Sequence, residues 1–243
     1  MSQPAITFLE QTGSTNADLA AMVRAGTQRE AEWLVARRQV AGRGRQGREW
    51  FDGAGNFMGS TAVAIASDDP PPATLSFVAA LAVHDAVEEA MGGAAHAALK
   101  WPNDVLVGGA KLAGILLEMV RGPGGTGVIV GIGVNLARAP DLADRKTVAL
   151  ARFGPVPALE HFADTLAGCF AARLGEWRSG GLAPTLAAFE ACSIHVPGAP
   201  ISVHDQEARP ITGAYAGLDR TDGALRLRLA DGSERVIRAG DIS

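Results

Sequence analysis

KWPNDVLVGGAKLAGILLE, residues 100–118, is the stretch on which the reading of this chain turns. Two lysines, Lys100 and Lys111, sit in short segments that are otherwise mostly apolar and read as strands. VGGAK is a hairpin-type turn between two of those segments. A lone lysine on a strand is commonly a guard against edge pairing. Burying an unpaired ammonium is costly, so two lysines in apolar segments call for an anion. Pro102 stiffens the backbone after Trp101, and Asn103 and Asp104 follow at a bend.

Upstream lies GRGRQGREW, residues 42–50, where Arg43, Arg45 and Arg48 are spaced by Gly42, Gly44 and Gly47. A solvated surface loop is the plain interpretation. An RNA-binding arginine–glycine segment is usually a longer repeat with aromatic neighbours, and this is a single copy. A loop closing over a small anion fits the residue types better. The planar guanidinium binds carboxylate and phosphate bidentately, and glycine lets backbone N–H groups approach. Trp50 follows at once and can stack on a planar ring or lock the loop. GRGRQG also matches G-x-G-x-x-G, but no convincing helix with an acidic residue about 20 positions on follows it, so a dinucleotide fold is rejected.

The flanking pattern is mixed. AITFLE, EWLVARR and FMGSTAVAI read as strands, and STNADLAAMVRAG as a capped helix ending at Gly26. A second helix is predicted over about 74–91, four short β segments over 96–137, and helix again over 157–192. Beyond VPGAP, short alternating stretches separated by TDG, DGS and AGD predict a small β-barrel. The fold class expected is α+β, with domains at 1–194 and 195–243.

Bulk properties narrow the function. With 22 Lys+Arg against 26 Asp+Glu the net charge is -4, which argues against a broad nucleic-acid face and leaves room for one anion site. Cys169 and Cys192 lack metal spacing and read as reduced thiols. The five histidines show no metal spacing either, so no metal ligands are assigned. The N-terminus lacks signal-peptide character and GVIVGIGVNLA is too short to span a bilayer, so a cytoplasmic protein is expected.

Taken together, STN (14–16), QVAGRGRQGREW (39–50), KWPND (100–104), KLAGILLE (111–118) and GIGVNL (131–136) resemble the biotin protein ligases over nearly the whole chain. The resemblance implies a class II synthetase-like mixed-sheet catalytic domain with a small SH3-like C-terminal barrel. It implies ATP and biotin as substrates, Mg2+, and transfer of biotin to a lysine of a biotin carboxyl carrier protein, with an acetyl-CoA carboxylase subunit as the family expectation. Only 13 residues precede Ser14, so the monofunctional type without a DNA-binding domain or repressor activity is expected. Many relatives pair through a sheet edge, so the resemblance admits a homodimer.

Residue by residue, the resemblance assigns Ser14, Thr15, Asn16 and Gln39 to the ureido ring of biotin, with Gly42 nearby. Arg43, Gly44 and Arg45 would wrap carboxylate and phosphate, Arg48 would reach the ATP phosphates, and Trp50 would pack near the adenine. Lys100 and Lys111 would neutralise oxygens, Asn103 and Asn135 would line the nucleotide side, and Gly114 and Ile115 would wall the biotin pocket. Asp104 is the candidate to orient or deprotonate the attacking amine, completing a catalytic set of Arg45, Lys100, Lys111 and Asp104. Val40 and Gln46 depart from the family pattern, Gln46 making the loop less positive. A carboxylate is a poor electrophile and must be adenylated, which brings two anions together; the cations offset that repulsion. The rivals are a lipoate-type ligase, whose own signature is absent, and a non-catalytic biotin-binding module, against which the intact Lys and Arg set argues.

Overall fold

The computed structural model describes residues 4–28, 32–204 and 210–242. Seven strands form one sheet: β1 (Ile6–Leu9), β2 (Trp33–Ala36), β3 (Phe57–Ala64), β4 (Ala97–Lys100), β5 (Asp104–Val107), β6 (Ala110–Gly122) and β7 (Gly125–Val134). Their order is β1-β2-β3-β7-β6-β5-β4, parallel between β1 and β2 and antiparallel elsewhere. The parallel pair is joined by helix α1 (Thr15–Ala25), a β-α-β crossover. Ser14 enters α1 extended, and Gly26 ends it with a φ of 68°, its N–H and that of Thr27 returning to Val23 and Met22.

Period-two alternation splits the sheet into two faces. Trp33 and Val35 on β2, Val128 and Val130 on β7, and Ile115 on β6 join the main core beneath α2 (Leu75–Met91) and α3 (Leu159–Gly180). Leu34, Ile129 and Val120 turn the other way and meet Leu19 and Ala20 of α1 in a separate small cluster. So α1 covers only part of one face, and the rest of that face stays open.

The helix predicted over 157–192 is two helices, α3 and α4 (Leu182–Ala191). The break is Gly181, at φ 74° and ψ -168°, a conformation open essentially to glycine alone. Pro184 sits in the first turn of α4, where its missing N–H costs no helical bond.

The C-terminal β region is a five-stranded antiparallel sheet of β8 (Pro200–His204), β9 (Pro210–Leu218), β10 (Leu225–Arg228), β11 (Glu234–Ile237) and β12 (Asp241–Ile242), ordered β11-β10-β9-β8-β12. No ladder joins β11 to β12 among the described residues, so the sheet is open there. Residues 205–209, within the stretch expected to be β, lie outside the described residues. The second sheet shares the main core. Trp101 Nε1 donates to Gly223 O at 3.1 Å, and Phe77 meets Phe189 edge-on at 4.8 Å beside Gly223. Residues 192–194 hydrogen-bond along the outer edge of β4, from Leu99 N to Cys192 O and from Ile194 N to Leu99 O.

His195 follows that segment and is 7% exposed, its ring 5.5 Å from Tyr215 and its Nε2 buried without a partner among the described residues. Burial first, then the charge of Lys100, pushes its pKa down to about 4. The unfolded chain binds that proton near 6.5, so it carries more protons than the folded chain between those values. This stability is present above about pH 6.5 and is lost as pH falls toward 4. Unfolding measured at pH 7 and pH 4.5 is expected to cost the parent about 2 kcal/mol more of its stability than it costs His195→Phe. Equal losses in the two proteins would contradict this placement of the imidazole.

Candidate active site

The site grows on the open part of the α1 face. There β7 presents Gly131 and Gly133, β6 presents Gly114, with Glu118 farther along the same face opposite Ile129, and β3 presents Ser60, while the alternate residues fill the core. A Cβ at Gly133 would fall closer than 3.0 Å to the Trp50 ring, and one at Gly131 closer than 3.0 Å to the Asn16 amide. At Gly114 it would meet Trp50 at 3.0 Å and Lys111 Nζ at 3.2 Å. The glycines are therefore bare backbone that lets other groups lie directly on the sheet. Over them opens a cavity of about 1770 Å³. Every residue expected at the site lines it, from Ser14 at the start of α1 to Asn135 after β7.

At one end the groups are neutral. Gln39 Oε1 accepts the Thr15 N–H at 2.7 Å, capping α1 from outside the helix, and lies 3.1 Å from Thr15 Oγ1. Thr15 Oγ1 is 2.7 Å from Ser60 Oγ, which donates to Asn16 Oδ1 at 2.6 Å. Asn16 Nδ2 in turn donates to Glu118 at 2.6 Å.

The other end is cationic and is built largely by the arginine loop. That loop is a tight hairpin rather than open coil. Gly44 N–H donates to Arg48 O at 2.7 Å, Trp50 N–H donates to Gly42 O at 3.0 Å, and Arg45–Gly47 form a 3₁₀ turn. Gln46 takes a φ of 57°, which is uncommon outside glycine. Asp52 ties down the base, accepting from Gln39 N–H at 3.1 Å and Arg38 Nε at 3.2 Å. Arg45 donates to Asn103 Oδ1 at 2.7 Å and lies 3.5 Å from Asp241, which Arg48 also engages. Burial pushes the Asp241 carboxyl up, but the Arg48 hydrogen bond and the charges of Arg48, Arg45 and Arg145 hold it below the usual range.

Lys111 Nζ donates to Asp104 at 2.6 Å and lies 5.8 Å from the centre of the Trp50 ring. Lys100 stands opposite Asp104 in the β4–β5 register and makes no ion pair of its own among the described residues. Asn103 is held to β6 in both directions, its Nδ2 donating to Ile115 O at 2.8 Å and its carbonyl accepting Ile115 N–H at 3.0 Å. Asn135 is buried 3.5 Å from Asn56 Nδ2. Trp50 lies over Gly114 and Gly133, on the same floor as the residues expected to hold the biotin. Among the described residues no group of three His, Cys, Asp or Glu is placed to hold a metal ion. A neutral donor–acceptor end joined to a cationic end suits a ligand with a polar uncharged head and an anionic tail.

Several residues of this site were not assigned from the sequence. Gly131 and Gly133 carried a readable signal, since GIGV alternates glycine with branched apolar residues at strand period. Ser60 interrupts an apolar strand, which is a weaker signal of the same kind. Asn56, whose side chain pins Ala137 and Arg138 N–H at 3.0 Å each, had none. Glu118 and Asp241 reach the site through contacts 102 and 193 residues long in sequence, which no local pattern shows.

Gly133→Ala is expected to lift Trp50 off the sheet. Trp33, Trp101 and Trp177 are all buried, so a rise in acrylamide quenching reports Trp50 alone. The melting temperature should move little, since the new methyl meets the covering loop and not the core. Unchanged quenching would contradict the packing described.

The biotin/lipoate A/B protein ligase family model matches residues 8–135. The biotin--[acetyl-CoA-carboxylase] ligase of Paracoccus denitrificans is 43% identical over 242 residues, covering 97% of this chain and 98% of its own. The enzyme of the same name from Mycobacterium tuberculosis is 37% identical, covering 96% of this chain and 86% of its own. Among solved structures, the biotin protein ligase of Aquifex aeolicus in complex with biotin and ATP superposes with a TM-score of 0.83 over 98% of this chain and 97% of that one. Its 24% identity makes this a likeness of fold.

Proposed function

The chain belongs to the biotin/lipoate A/B protein ligase family, and from that premise we propose that its cavity joins biotin to AMP and passes it to a carrier lysine. It is an ATP-dependent ligase that activates biotin to biotinyl-5'-AMP, releasing pyrophosphate. It then transfers biotin to the biotin carboxyl carrier protein, releasing AMP. The observation that carries this reading is the cavity's division into a neutral end at Thr15 and Gln39 and a cationic end at Arg45, Lys100 and Lys111.

Biotin matches that division, with an uncharged ureido ring at one end and a carboxylate at the other. Thr15 and Gln39 hold the ring with Ser14 beside them and Asn16 behind, and Gly114 and Gly133 leave bare the strip of sheet that the ring takes when Trp50 lifts from it. Arg45 and Lys111 bring the carboxylate to the α-phosphate, lowering the repulsion between the two anions and stabilising charge on the phosphorus. Arg43 and Arg48 take the outer phosphates, and Asn103 fixes the Arg45 guanidinium. Asn135 and the segment 146–148, which hydrogen-bonds alongside Lys111, stand on the nucleotide side. Asp104 anchors Lys111 and is assigned to receive the proton of the incoming amine. The closed loop keeps water from the mixed anhydride.

Magnesium fits as a companion of the phosphates rather than a resident ion. The described residues offer it no carboxylate cluster, and Asp104 and Asp241 are already paired with cations. It would offset phosphate charge. The C-terminal sheet, bulged between Leu225 and Leu227, is read as an SH3-like barrel that supplies Asp241 to the arginine loop. A domain boundary near residue 195 separates it from the catalytic part. No helix among the described residues is long and apolar enough to cross a membrane, and the cytoplasm, where carrier proteins are made, is the assigned place of action. No nucleic acid is assigned as a partner. A homodimer would use the β1 edge of the main sheet, because residues 192–194 occupy the β4 edge.

Biotin-dependent exchange of labelled pyrophosphate into ATP tests the reading without any carrier. The parent should exchange, and Arg45→Ala and Lys111→Ala should each lose about 10²-fold or more in rate. Exchange with lipoate and not biotin would change the substrate, and no exchange with any acid from folded protein would overturn the ligase reading.

A further inference from the structure

Among the described residues Glu118 reaches the site through Asn16 and is not part of the cavity wall, yet it settles the direction of the side-chain protons on Asn16, Ser60 and Thr15. As a carboxylate it can only accept, so the Asn16 atom facing it at 2.6 Å must be the amide nitrogen. Asn16 Oδ1 then faces Ser60 Oγ at 2.6 Å and can only accept, so the single Ser60 hydroxyl proton goes to Asn16. Ser60 Oγ must therefore receive the proton of Thr15 Oγ1 across 2.7 Å, the shorter of the two contacts open to that hydroxyl. Gln39 Oε1 keeps the Thr15 N–H at 2.7 Å, which fixes its own amide with Nε2 beside Gly42 at the base of the arginine loop. Asn16, Ser60 and Thr15 are buried, and Gly131 leaves the room in which the Asn16 amide sits, so the chain cannot easily turn over.

We propose that Glu118 is a positioning residue whose carboxylate orients the Asn16–Ser60–Thr15 chain, leaving Thr15 Oγ1 with its lone pairs for the ligand ring beside Gln39 Nε2, which the Thr15 backbone N–H orients. The pair selects a ring that offers an N–H donor next to a carbonyl acceptor, as a cyclic urea does. A ring without that donor leaves Thr15 unsatisfied. This rests on the ligase reading above and goes beyond it in naming a residue, away from the ligand, that determines which ring is accepted.

Two variants in the pyrophosphate-exchange assay test it. Glu118→Met keeps length and removes the acceptor, so the Asn16 amide is free to turn. The expected result is a rise of about tenfold or more in the KM for biotin, with kcat at saturating biotin and the KM for MgATP each within about twofold of the parent. The swap Asn16→Asp with Glu118→Gln puts a pure acceptor opposite Ser60 and a donor behind it. This keeps the original proton direction, so the KM for biotin should return to within about threefold of the parent. Glu118→Met with the parental KM for biotin overturns the proposal. So does a parallel rise in the KM for MgATP, or a swap no better than the single variant. A parent that shows no biotin-dependent exchange removes the ligase reading, and this proposal falls with it.

Discussion

A strand has two faces, and the central constraint here is that β6 and β7 must fill a core with one and hold a ligand on the other. Ile115, Ile132 and Val134 go beneath α2 and α3, while Gly114, Gly131 and Gly133 leave the opposite face without side chains. A methyl at Gly131 or Gly133 would collide with Asn16 or Trp50. The site thus depends on side chains that are missing. Helix α1 can cover only part of that face, because its end at Thr15 must reach Gln39 and Ser60.

The polar groups around this floor are arranged as two systems of opposite character. One is a relay of amide and hydroxyl groups, from Asn16 through Ser60 to Thr15, ordered by the Glu118 carboxylate, with Gln39 fixed beside it by the Thr15 N–H. The other is a set of cations partly held by the protein's own carboxylates, Asp104 on Lys111 and Asp241 on Arg45 and Arg48. These pairs keep the guanidinium and ammonium groups in place over the cavity at modest cost, because all of them remain partly exposed. Asp241 comes from the last strand of the chain, so the C-terminal sheet contributes directly to the state of the arginine loop.

Much of this was legible in the sequence, and for identifiable reasons. Strand periods, the glycine stop of α1 and the apolar stripe of α2 are local patterns, and they appear within a few residues of their expected places. The residues expected at the site cluster in short stretches of unusual chemistry, GRGRQGREW and KWPND, and the fold brings those stretches to one cavity. What was missed is of two kinds. Gly131 and Gly133 show a pattern that could have been read as an open strand face, and Gly180–Gly181 could have been read as the break between α3 and α4. Glu118, Asn56 and Asp241 act across long sequence separations, and only folding puts them beside the residues they orient.

The most direct test of the central claim is a crystal structure of the protein with biotinyl-5'-adenylate. The account places the bicyclic ring on the sheet at Gly133 with Trp50 lifted from it, its ureido N–H toward Thr15 Oγ1 and its carbonyl toward Gln39 Nε2, with Arg45 and Lys111 on the phosphate. A ligand bound elsewhere in the cavity, with Thr15 and Gln39 untouched and Trp50 still lying on bare glycine, would contradict it.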